Sequence, residues 1–292
     1  MHKILITGFT GFTGRYVLQE ARKRGLNAIC FSEDGSSSSL PINLLDYTAV
    51  REKIEEIRPS SVVHLAAISH VLHEPASDFY AVNIGGTRNI LQALSELSRN
   101  NLVNNIFASS ANIYGNSSKV ELDEETSLRP VNDYGLSKKT MEELLVLWKD
   151  KLPITITRPF NYTGRGQVDS FLIPKIVNAF KQKKNCLELG NLEISRDFSD
   201  VRFIAQAYLS LAIQSSQFRV INLCSGNLTS IKEIISICAT LTNHNLKVIS
   251  NPDFCRKNEI MKLKGSTAKM EKALGYKSPY SIRETLSWML SK

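Results

Sequence analysis

Apolar and polar positions alternate in blocks along the first half of the chain. Short apolar runs are separated by longer amphipathic stretches, which is the pattern of a doubly wound parallel sheet covered by helices. The apolar runs predict strands over residues 3–7, 28–31, 61–65, 105–109 and 154–158. The amphipathic stretches predict helices over residues 15–24, 47–57, 81–97 and 134–149. The predicted fold class is therefore α/β.

Beyond about residue 164 the alternation weakens. The pattern there predicts helices over residues 172–183, 201–215, 231–241 and 281–290, with a strand over 220–224. No apolar run approaches the roughly 20 residues that a membrane span needs, and the first apolar run begins too early to leave room for a signal peptide. We therefore expect a cytoplasmic protein without a membrane segment.

The chain carries a net positive charge, but its sequence shows no metal-binding or nucleic-acid-binding motif. The net charge is +8, yet lysine and arginine are spread along the chain and no basic run carries interleaved aromatic residues. We expect an anionic small molecule rather than nucleic acid as the partner. The five cysteines are scattered without a Cys-x-x-Cys pair, so we expect buried thiols rather than a disulfide framework or a metal site.

A glycine-rich turn over residues 7–14 joins the first predicted strand to the first predicted helix. Gly8 allows a sharp turn, Gly11 lets backbone N–H groups approach a pyrophosphate, and Gly14 allows close packing of the helix on the strand. A glycine triplet alone is a weak signal, but this position in the chain favours a dinucleotide site. We predict cofactor contacts from Gly8, Phe9, Thr10, Gly11, Phe12, Thr13 and Gly14.

The end of the second predicted strand is where an acidic residue would hold the adenosine ribose. Ser32 takes that place, followed by Glu33 and Asp34. Neutral Ser32 leaves room for a 2′-phosphate, but no arginine follows to bind one, and either acid could take the ribose instead. The sequence therefore leaves both NADP(H) and NAD(H) open as the cofactor.

Tyr134 and Lys138 lie four residues apart at the start of a predicted helix, so both side chains project from one face. A free tyrosine has a pKa of about 10, and we expect the lysine ammonium to lower the pKa of Tyr134. Tyr134 could then exchange a proton with a sugar hydroxyl or carbonyl while hydride moves at a nicotinamide. Ser110, just past the fourth predicted strand, would hydrogen-bond the same substrate oxygen.

In this order the motifs resemble the extended short-chain dehydrogenase/reductase family, almost from end to end. The motifs are Thr7-Gly8-x-x-Gly11-x-x-Gly14, His64-Leu65-Ala66-Ala67, Asn83 with Gly86-Thr87-Arg88-Asn89, Ser109-Ser110-Ala-Asn-Ile-Tyr114-Gly115, Tyr134-x-x-x-Lys138 and Arg158-Pro159-Phe160-Asn161. The resemblance implies an NAD(P)-dependent enzyme with Ser110, Tyr134 and Lys138 as the catalytic triad. The further cofactor-binding residues that it implies are Ser32, Asn43, Leu44, Leu65, Ala66, Ala67, Asn83, Ser109, Tyr134, Lys138 and Pro159.

Motifs in the second half are similar to the branch that acts on GDP-mannose-derived and related deoxysugars. They include the stretches from Arg158 to Gln167 and from Arg196 to Arg202. The resemblance implies that arginines grip the diphosphate of a nucleotide-sugar, which suits the rigid donor fork of arginine. Pairing of Arg196 with Asp197 or Asp200 is the structural alternative, and a solvated loop position is the alternative for His70. The predicted substrate-binding residues are His70, Ser110, Asn112, Asn161, Arg165, Gln167, Arg196, Arg256 and Glu259.

The residues after Ser110 separate the reactions of this family. By resemblance, sugar 4,6-dehydratases carry carboxylates there, because elimination of water needs a base for the C5 proton and an acid for the leaving hydroxyl. Ala111 and Asn112 can supply neither at neutral pH. Reduction needs only hydride, the Tyr134 proton and positioning. We expect NAD(P)H-dependent reduction of the 4-keto group of a GDP- or dTDP-linked 4-keto-6-deoxyhexose, in the synthesis of deoxysugar or polysaccharide precursors.

Two other functions stay open at this point: a nucleotide-sugar 4-epimerase with tightly bound NAD, and a non-catalytic dinucleotide-binding sensor or scaffold. The pattern and the glycine turn together predict a Rossmann-like domain over residues 1–163, with a returning segment near 196–224. Residues 164–292 would form a smaller, mainly substrate-binding α/β region. The family resemblance also implies a homodimer that pairs through the helices near 81–97 and 134–149.

Overall fold

The computed structural model of the chain describes residues 2–32, 39–71, 73–97, 101–254 and 261–291. Four residues singled out from the sequence lie outside these described residues, namely Glu33, Asp34, Arg256 and Glu259. Across the described ranges, every helix is too short or too polar to cross a membrane.

Seven parallel strands form the main sheet. In chain order they are β1 (Lys3–Thr7), β2 (Asn27–Ser32), β3 (Leu40–Pro41), β4 (Ser61–His64), β5 (Asn104–Ala108), β6 (Ile154–Pro159) and β10 (Val220–Leu223). Their spatial order is β10-β6-β5-β4-β1-β2-β3. The order reverses between β1 and β4, and a doubly wound sheet binds its ligand at the carboxyl ends of the strands at such a point. The predicted α/β fold class is confirmed.

Helices cover both faces of this sheet because each carries an apolar stripe. On one face, α1 (Phe12–Lys23) and α7 (Val201–Ala212) bury their stripes against β1 and β10. On the other face lie α2 (Tyr47–Ile57), α4 (Thr87–Ser95) and α5 (Asp133–Trp148). Helix α5 begins where the Asn132 side chain accepts a hydrogen bond from the backbone N–H of Gly135, at 2.8 Å. This cap fixes the start of the helix that carries Tyr134 and Lys138.

The helix predicted over residues 81–97 differs from the structure. It begins earlier, with the short α3 (Ser77–Tyr80), and passes through a π-helical turn (Ala81–Gly86) before α4. Asn83, inside the π-helical turn, accepts a hydrogen bond from the backbone N–H of Ile68 at 2.9 Å. Such turns recur at functional sites, and periodicity alone does not show them.

The C-terminal region packs short strands against helices. Its strands are β7 (Asn161–Thr163), β8 (Cys186–Leu189), β9 (Ser195–Asp200), β11 (Leu228–Ser230), β12 (Lys247–Ser250) and β13 (Lys262–Leu263). Its helices are α6 (Leu172–Lys181), α8 (Ile231–Thr242), α9 (Ala268–Leu274) and α10 (Ile282–Leu290). Strand β9 lies at the centre, paired with β7, β11 and β13. The sequence pattern predicted α6, α8 and α10 but none of these strands.

One expectation about the cysteines is wrong. Cys30, Cys224 and Cys238 are buried, as expected, but Cys186 is exposed. It is the first residue of β8, which pairs with β12 alone among the described strands and whose alternate residues face solvent.

Candidate active site

A cleft of about 890 Å³ opens at the carboxyl ends of the central strands and continues to the C-terminal region. The predicted site residues that line it are Gly8, Thr10, Gly11, Phe12, Thr13, Gly14, Ser32, Asn43, Leu44, Leu65, Ala66, Ala67, Ser109, Ser110, Asn112, Tyr134, Lys138, Pro159, Asn161, Gln167 and Arg196. The main sheet and the C-terminal region therefore form this cleft together.

Four predicted contacts lie elsewhere. Phe9 is part of the hydrophobic core under the glycine turn, and Asn83 is fully buried. The exposed ring of His70 lies edge-on to Phe171, a residue of the cleft wall, with 6.0 Å between ring centroids. The Arg165 guanidinium donates instead to the backbone carbonyls of Trp288 and Ser291, at 2.7 and 2.9 Å. The expected substrate contact of Arg165 is corrected, because α10 already engages its donors.

The glycine turn has no room for side chains at two of its three glycines. Gly8 has a φ of 70°, and a Cβ there would lie 2.6 Å from the backbone nitrogen of Ala66. A Cβ on Gly14 would lie 2.4 Å from the carbonyl oxygen of Gly8. The turn is therefore packed directly against the end of β4 and the start of α1, which brings backbone N–H groups to the cleft.

Ser110, Tyr134 and Lys138 are all buried and all line the cleft. The Ser110 hydroxyl is hydrogen-bonded to the Tyr134 phenol. The Lys138 ammonium donates to the backbone carbonyl of Ala108, the last residue of β5, at 2.7 Å. The triad that the resemblance implied is thus brought together at the ends of β5 and α5.

The expected pKa of Tyr134 was in the wrong direction. Burial raises the pKa of Tyr134 to about 12, the hydrogen bond from Ser110 lowers it in part, and the nearby Tyr162 raises it further. Burial also lowers the pKa of Lys138 to about 8, which Glu142 partly offsets. Desolvation of the buried phenol sets the direction of this shift, so the lysine charge that the sequence analysis invoked does not lower the pKa of Tyr134.

A search of known families finds one that matches residues 4–224, described as the NAD dependent epimerase/dehydratase family. The chain belongs to this family. The match covers every strand of the main sheet together with the glycine turn and the triad. It therefore confirms the resemblance and the dependence on a nicotinamide dinucleotide that the sequence analysis expected.

Two curated relatives of this epimerase/dehydratase-family chain carry specific names. A GDP-6-deoxy-D-talose 4-dehydrogenase of Aggregatibacter actinomycetemcomitans is 33% identical, over 94% of this chain and 91% of its own length. A GDP-6-deoxy-D-mannose reductase of Pseudomonas aeruginosa is 30% identical, over 99% of this chain and 96% of its own.

Solved structures of other proteins share the fold of this chain. The structure of RMD from Pseudomonas aeruginosa complexed with NADPH is 27% identical, with a TM-score of 0.87, and the match covers 99% of this chain and 96% of that one. A Burkholderia cenocepacia J2315 protein, described only provisionally as an epimerase, is 41% identical with a TM-score of 0.93, over 99% of this chain and 97% of its own.

A buried, uncharged network connects the glycine turn to helix α5 of this family member. The Thr7 hydroxyl lies 2.7 Å from His64 Nδ1, and Thr87 Oγ1 lies 3.0 Å from His64 Nε2. Thr87 donates its own proton to the carbonyl of Asn83, at 2.7 Å, so it accepts from Nε2 and the His64 proton resides there. The Asn83 amide then donates to Ser137 Oγ, at 3.1 Å. We call these five residues the neutral network.

A second network, which is charged, meets the same helix one turn further on. The Arg158 guanidinium forms a bidentate ion pair with the Glu142 carboxylate, at 3.0 and 2.7 Å. Its remaining nitrogen donates to the Tyr114 hydroxyl and to the Glu124 carbonyl, both at 3.0 Å. We call these four residues the charged network. Sequence reasoning missed its pairing, although Arg158 begins one of the motifs.

The residues present fit a dinucleotide. Besides the glycine turn, the Ser109 hydroxyl is buried at the cleft wall and finds no hydrogen-bond partner within the described residues. A buried polar atom without a partner is costly in a folded protein, and a polar group of a bound cofactor would satisfy it. Tyr162, which sequence reasoning also missed, joins the two sides of the cleft through a 2.7 Å hydrogen bond to Thr13.

The position of Arg196 is compatible with the diphosphate contact that its sequence motif indicates. Its guanidinium donates to the backbone carbonyls of Ser195 and Met261, at 3.0 and 3.2 Å, and it lines the cleft. Of the neighbouring carboxylates, Asp200 pairs with Arg202 at 2.7 Å, and Asp197 accepts hydrogen bonds from the Ser225–Gly226 segment.

Proposed function

We propose that this enzyme is an NAD(P)H-dependent reductase of the 4-keto group of a nucleotide-linked 4-keto-6-deoxyhexose. The observation that carries the proposal is the buried Tyr134 phenol, hydrogen-bonded by Ser110 inside a dinucleotide-type cleft, with uncharged Ala111 and Asn112 beside it. Two curated relatives named for a reductase and a 4-dehydrogenase of GDP-6-deoxyhexoses support it.

The triad can perform the proton transfer that reduction requires. A reduced nicotinamide supplies the hydride when it is bound. Burial keeps Tyr134 protonated at neutral pH, and this is the form needed to protonate the carbonyl oxygen as it becomes a hydroxyl. Ser110 donates a hydrogen bond to the Tyr134 oxygen, which stabilises the phenolate that forms, and Lys138, held by the Ala108 carbonyl, adds positive charge to the same cleft.

The substrate would lie toward the C-terminal side of the cleft. Arg196, Asn161 and Gln167 line that side, and we assign them to the nucleotide-sugar diphosphate and the sugar hydroxyls. The GDP-linked sugars in the names of both relatives favour GDP over dTDP. Arg256 and Glu259 lie outside the described residues, and their substrate contacts stay predictions.

We further propose a cytoplasmic homodimer that pairs through α4 and α5. Helix α5 exposes Leu136, Val146 and Leu147, the last of them 76% exposed, and apolar side chains grouped on one helix are what an interface covers. Replacement of Leu147 by Glu should shift the protein to monomers in sedimentation velocity, whereas the exposed-site control Lys149→Glu should not.

The decisive experiment mixes the purified protein with GDP- and dTDP-linked 4-keto-6-deoxyhexoses and with NADPH or NADH. We expect loss of the reduced-cofactor absorbance with at least one pair, and NMR of the product gives its C4 configuration. Tyr134→Phe should lower turnover by about 100-fold or more while cofactor binding persists. Absence of consumption with every pair, or full activity of the variant, would contradict the proposal.

A nucleotide-sugar 4-epimerase is the second candidate, favoured by the provisional description of the Burkholderia protein. It would use the same triad but regenerate its cofactor in each turnover. Co-purified NAD with inversion at C4 and no net cofactor consumption would identify it. A sensor or scaffold would show neither reaction and would have no need of the Tyr134 phenol.

A further inference from the structure

Asn112 surrounds the Ser110 hydroxyl with hydrogen-bond donors. The backbone N–H of Asn112 donates to Ser110 Oγ at 3.2 Å, and its side-chain Nδ2 donates to the same oxygen at 3.1 Å. A serine hydroxyl offers one proton and two acceptor lone pairs. Both lone pairs of Ser110 Oγ therefore accept hydrogen bonds from Asn112, and Ser110 can form a further hydrogen bond only by donating its own proton.

This arrangement sets the direction of the hydrogen bond between Ser110 and Tyr134. Because Ser110 has no lone pair left to accept with, its proton points to the Tyr134 oxygen. The phenol of Tyr134 then does not donate its proton to Ser110, and that proton is available for a substrate carbonyl. When that proton leaves, the phenolate already has a donor aimed at it.

We propose that Asn112 is a positioning residue that fixes the Ser110 hydroxyl as a donor toward the Tyr134 oxygen. It would act through Ser110 rather than by holding the sugar, which is the role predicted for it from the sequence. The kinetic part of this inference rests on the proposed reduction; the orientation of the hydroxyl does not.

The orientation is tested without substrate. Tyr134 is replaced by 2,3-difluorotyrosine, whose phenol ionises at a lower pH than that of tyrosine, and its pKa is read by ¹⁹F NMR. Asn112→Asp removes the side-chain donor and offers Ser110 a carboxylate to donate to, so we expect a clear rise in the phenol pKa. Asn112→Ala frees one lone pair without adding charge and should give a smaller rise.

A matched control separates geometry from charge. Asn116→Asp makes the same change of charge four residues away at an exposed position, and should leave the phenol pKa unchanged. Tyr162 and Tyr208 are the ionisable groups whose charge interacts with Tyr134, from β7 and α7, and Lys138 follows on the same helix; none of them changes in these variants. An unchanged pKa in both Asn112 variants would overturn the proposal.

The kinetic test is a double-mutant cycle with Ser110→Ala. Asn112→Asp alone should lower kcat by about 10- to 100-fold with little change in KM. In the Ser110→Ala background the same change should lower kcat by less than about twofold, since Asn112 then has nothing to orient. A raised KM that persists in that background would mean that Asn112 binds substrate directly, and would overturn the positioning role.

The two arms have separate outcomes. If the proposed reduction fails on every substrate, the ¹⁹F pKa series still decides the orientation of Ser110. Folding of each variant is checked by circular dichroism. If Asn112→Asp does not fold, Asn112→Ala still provides the test. We expect Asn112→Ala to fold because it adds no charge and Asn112 is only partly buried.

Discussion

The neutral network and the charged network both hold helix α5, which carries the candidate residues Tyr134 and Lys138, but they do so by different physics. The neutral network reaches the helix at Ser137 through hydroxyl, imidazole and amide groups, none of which carries a charge at neutral pH. The charged network reaches it at Glu142 through a bidentate ion pair whose side chains are only 5% and 7% exposed. The neutral network requires that His64 stays unprotonated, and the charged network requires that Arg158 and Glu142 stay paired.

This difference shows how one helix can hold a buried phenol and a buried ammonium four residues apart. Lys138 lies between the two supports, where burial lowers its pKa and Glu142 partly restores it. His64, on the other side, stays neutral because burial and the Lys138 charge lower its pKa to about 3. The charge in this region is thus concentrated at Lys138, Glu142 and Arg158. Four variants or conditions test the contrast.

The largest effect is expected from Arg158→Met. The variant leaves the Glu142 carboxylate buried without its partner, which should cost about 3–5 kcal/mol of unfolding free energy in urea denaturation. The double variant Arg158→Met with Glu142→Leu should recover most of that loss. Arg51→Met is the matched control, because the Arg51–Glu96 pair is about half exposed and should contribute less than about 1 kcal/mol. Equal losses at the two arginines would contradict the contrast.

Acid should weaken the neutral network. The folded-state pKa of His64 is about 3, below its ordinary value of 6.5, so the unfolded chain takes up the proton first. Stability from this residue is therefore complete above about pH 6.5 and falls as the pH decreases toward about 3, by up to about 1.4 kcal/mol per pH unit. His64→Asn should flatten the measured stability–pH curve in this window.

An intermediate effect is expected from Thr87→Val. Valine has nearly the same shape but leaves the buried Nε2–H of His64 without an acceptor, which should cost about 1–3 kcal/mol. Thr87→Ser keeps the hydroxyl and should cost clearly less. If both variants unfold at the same urea concentration, the Thr87 hydroxyl does not hold the imidazole.

The smallest effect is expected from Ser137→Ala. The Asn83 amide would lose one acceptor, but it also donates to the Ile68 carbonyl at 3.3 Å, so the group is not stranded. We expect a loss of about 1 kcal/mol in unfolding free energy. A loss as large as that of Thr87→Val would show that the last link of the neutral network matters as much as the buried imidazole.

The strands of the main sheet and the triad could be predicted because their signals are local. Strand β1 and helix α2 have the predicted bounds, and α5 is displaced by one residue. An apolar run, an amphipathic stretch and a glycine turn each act within a few residues, so the chain itself displays them. Fold class and the candidate triad follow from such signals.

Long-range pairing could not be predicted. Arg158 and Glu142 are 16 residues apart, and Thr7 and His64 are 57 apart, so no periodicity links them. The short strands around β9 are stabilised by partners far along the chain rather than by their own apolar pattern. The sign of the Tyr134 pKa shift was missed for a related reason, since the sequence shows the neighbouring lysine but not the depth of burial.

Strand β10 and helix α7 have a consequence for biosynthesis. Residues 201–223 form helix α7, which covers α1, and strand β10, which lies at the edge of the main sheet beside β6. The chain between β6 and α7 belongs to the C-terminal region. A nascent chain that has just completed β6 therefore still lacks the cover over one apolar face of its sheet. About 60 further residues must be synthesised before that face can close, so we expect it to be the last part of the main sheet to be covered during synthesis.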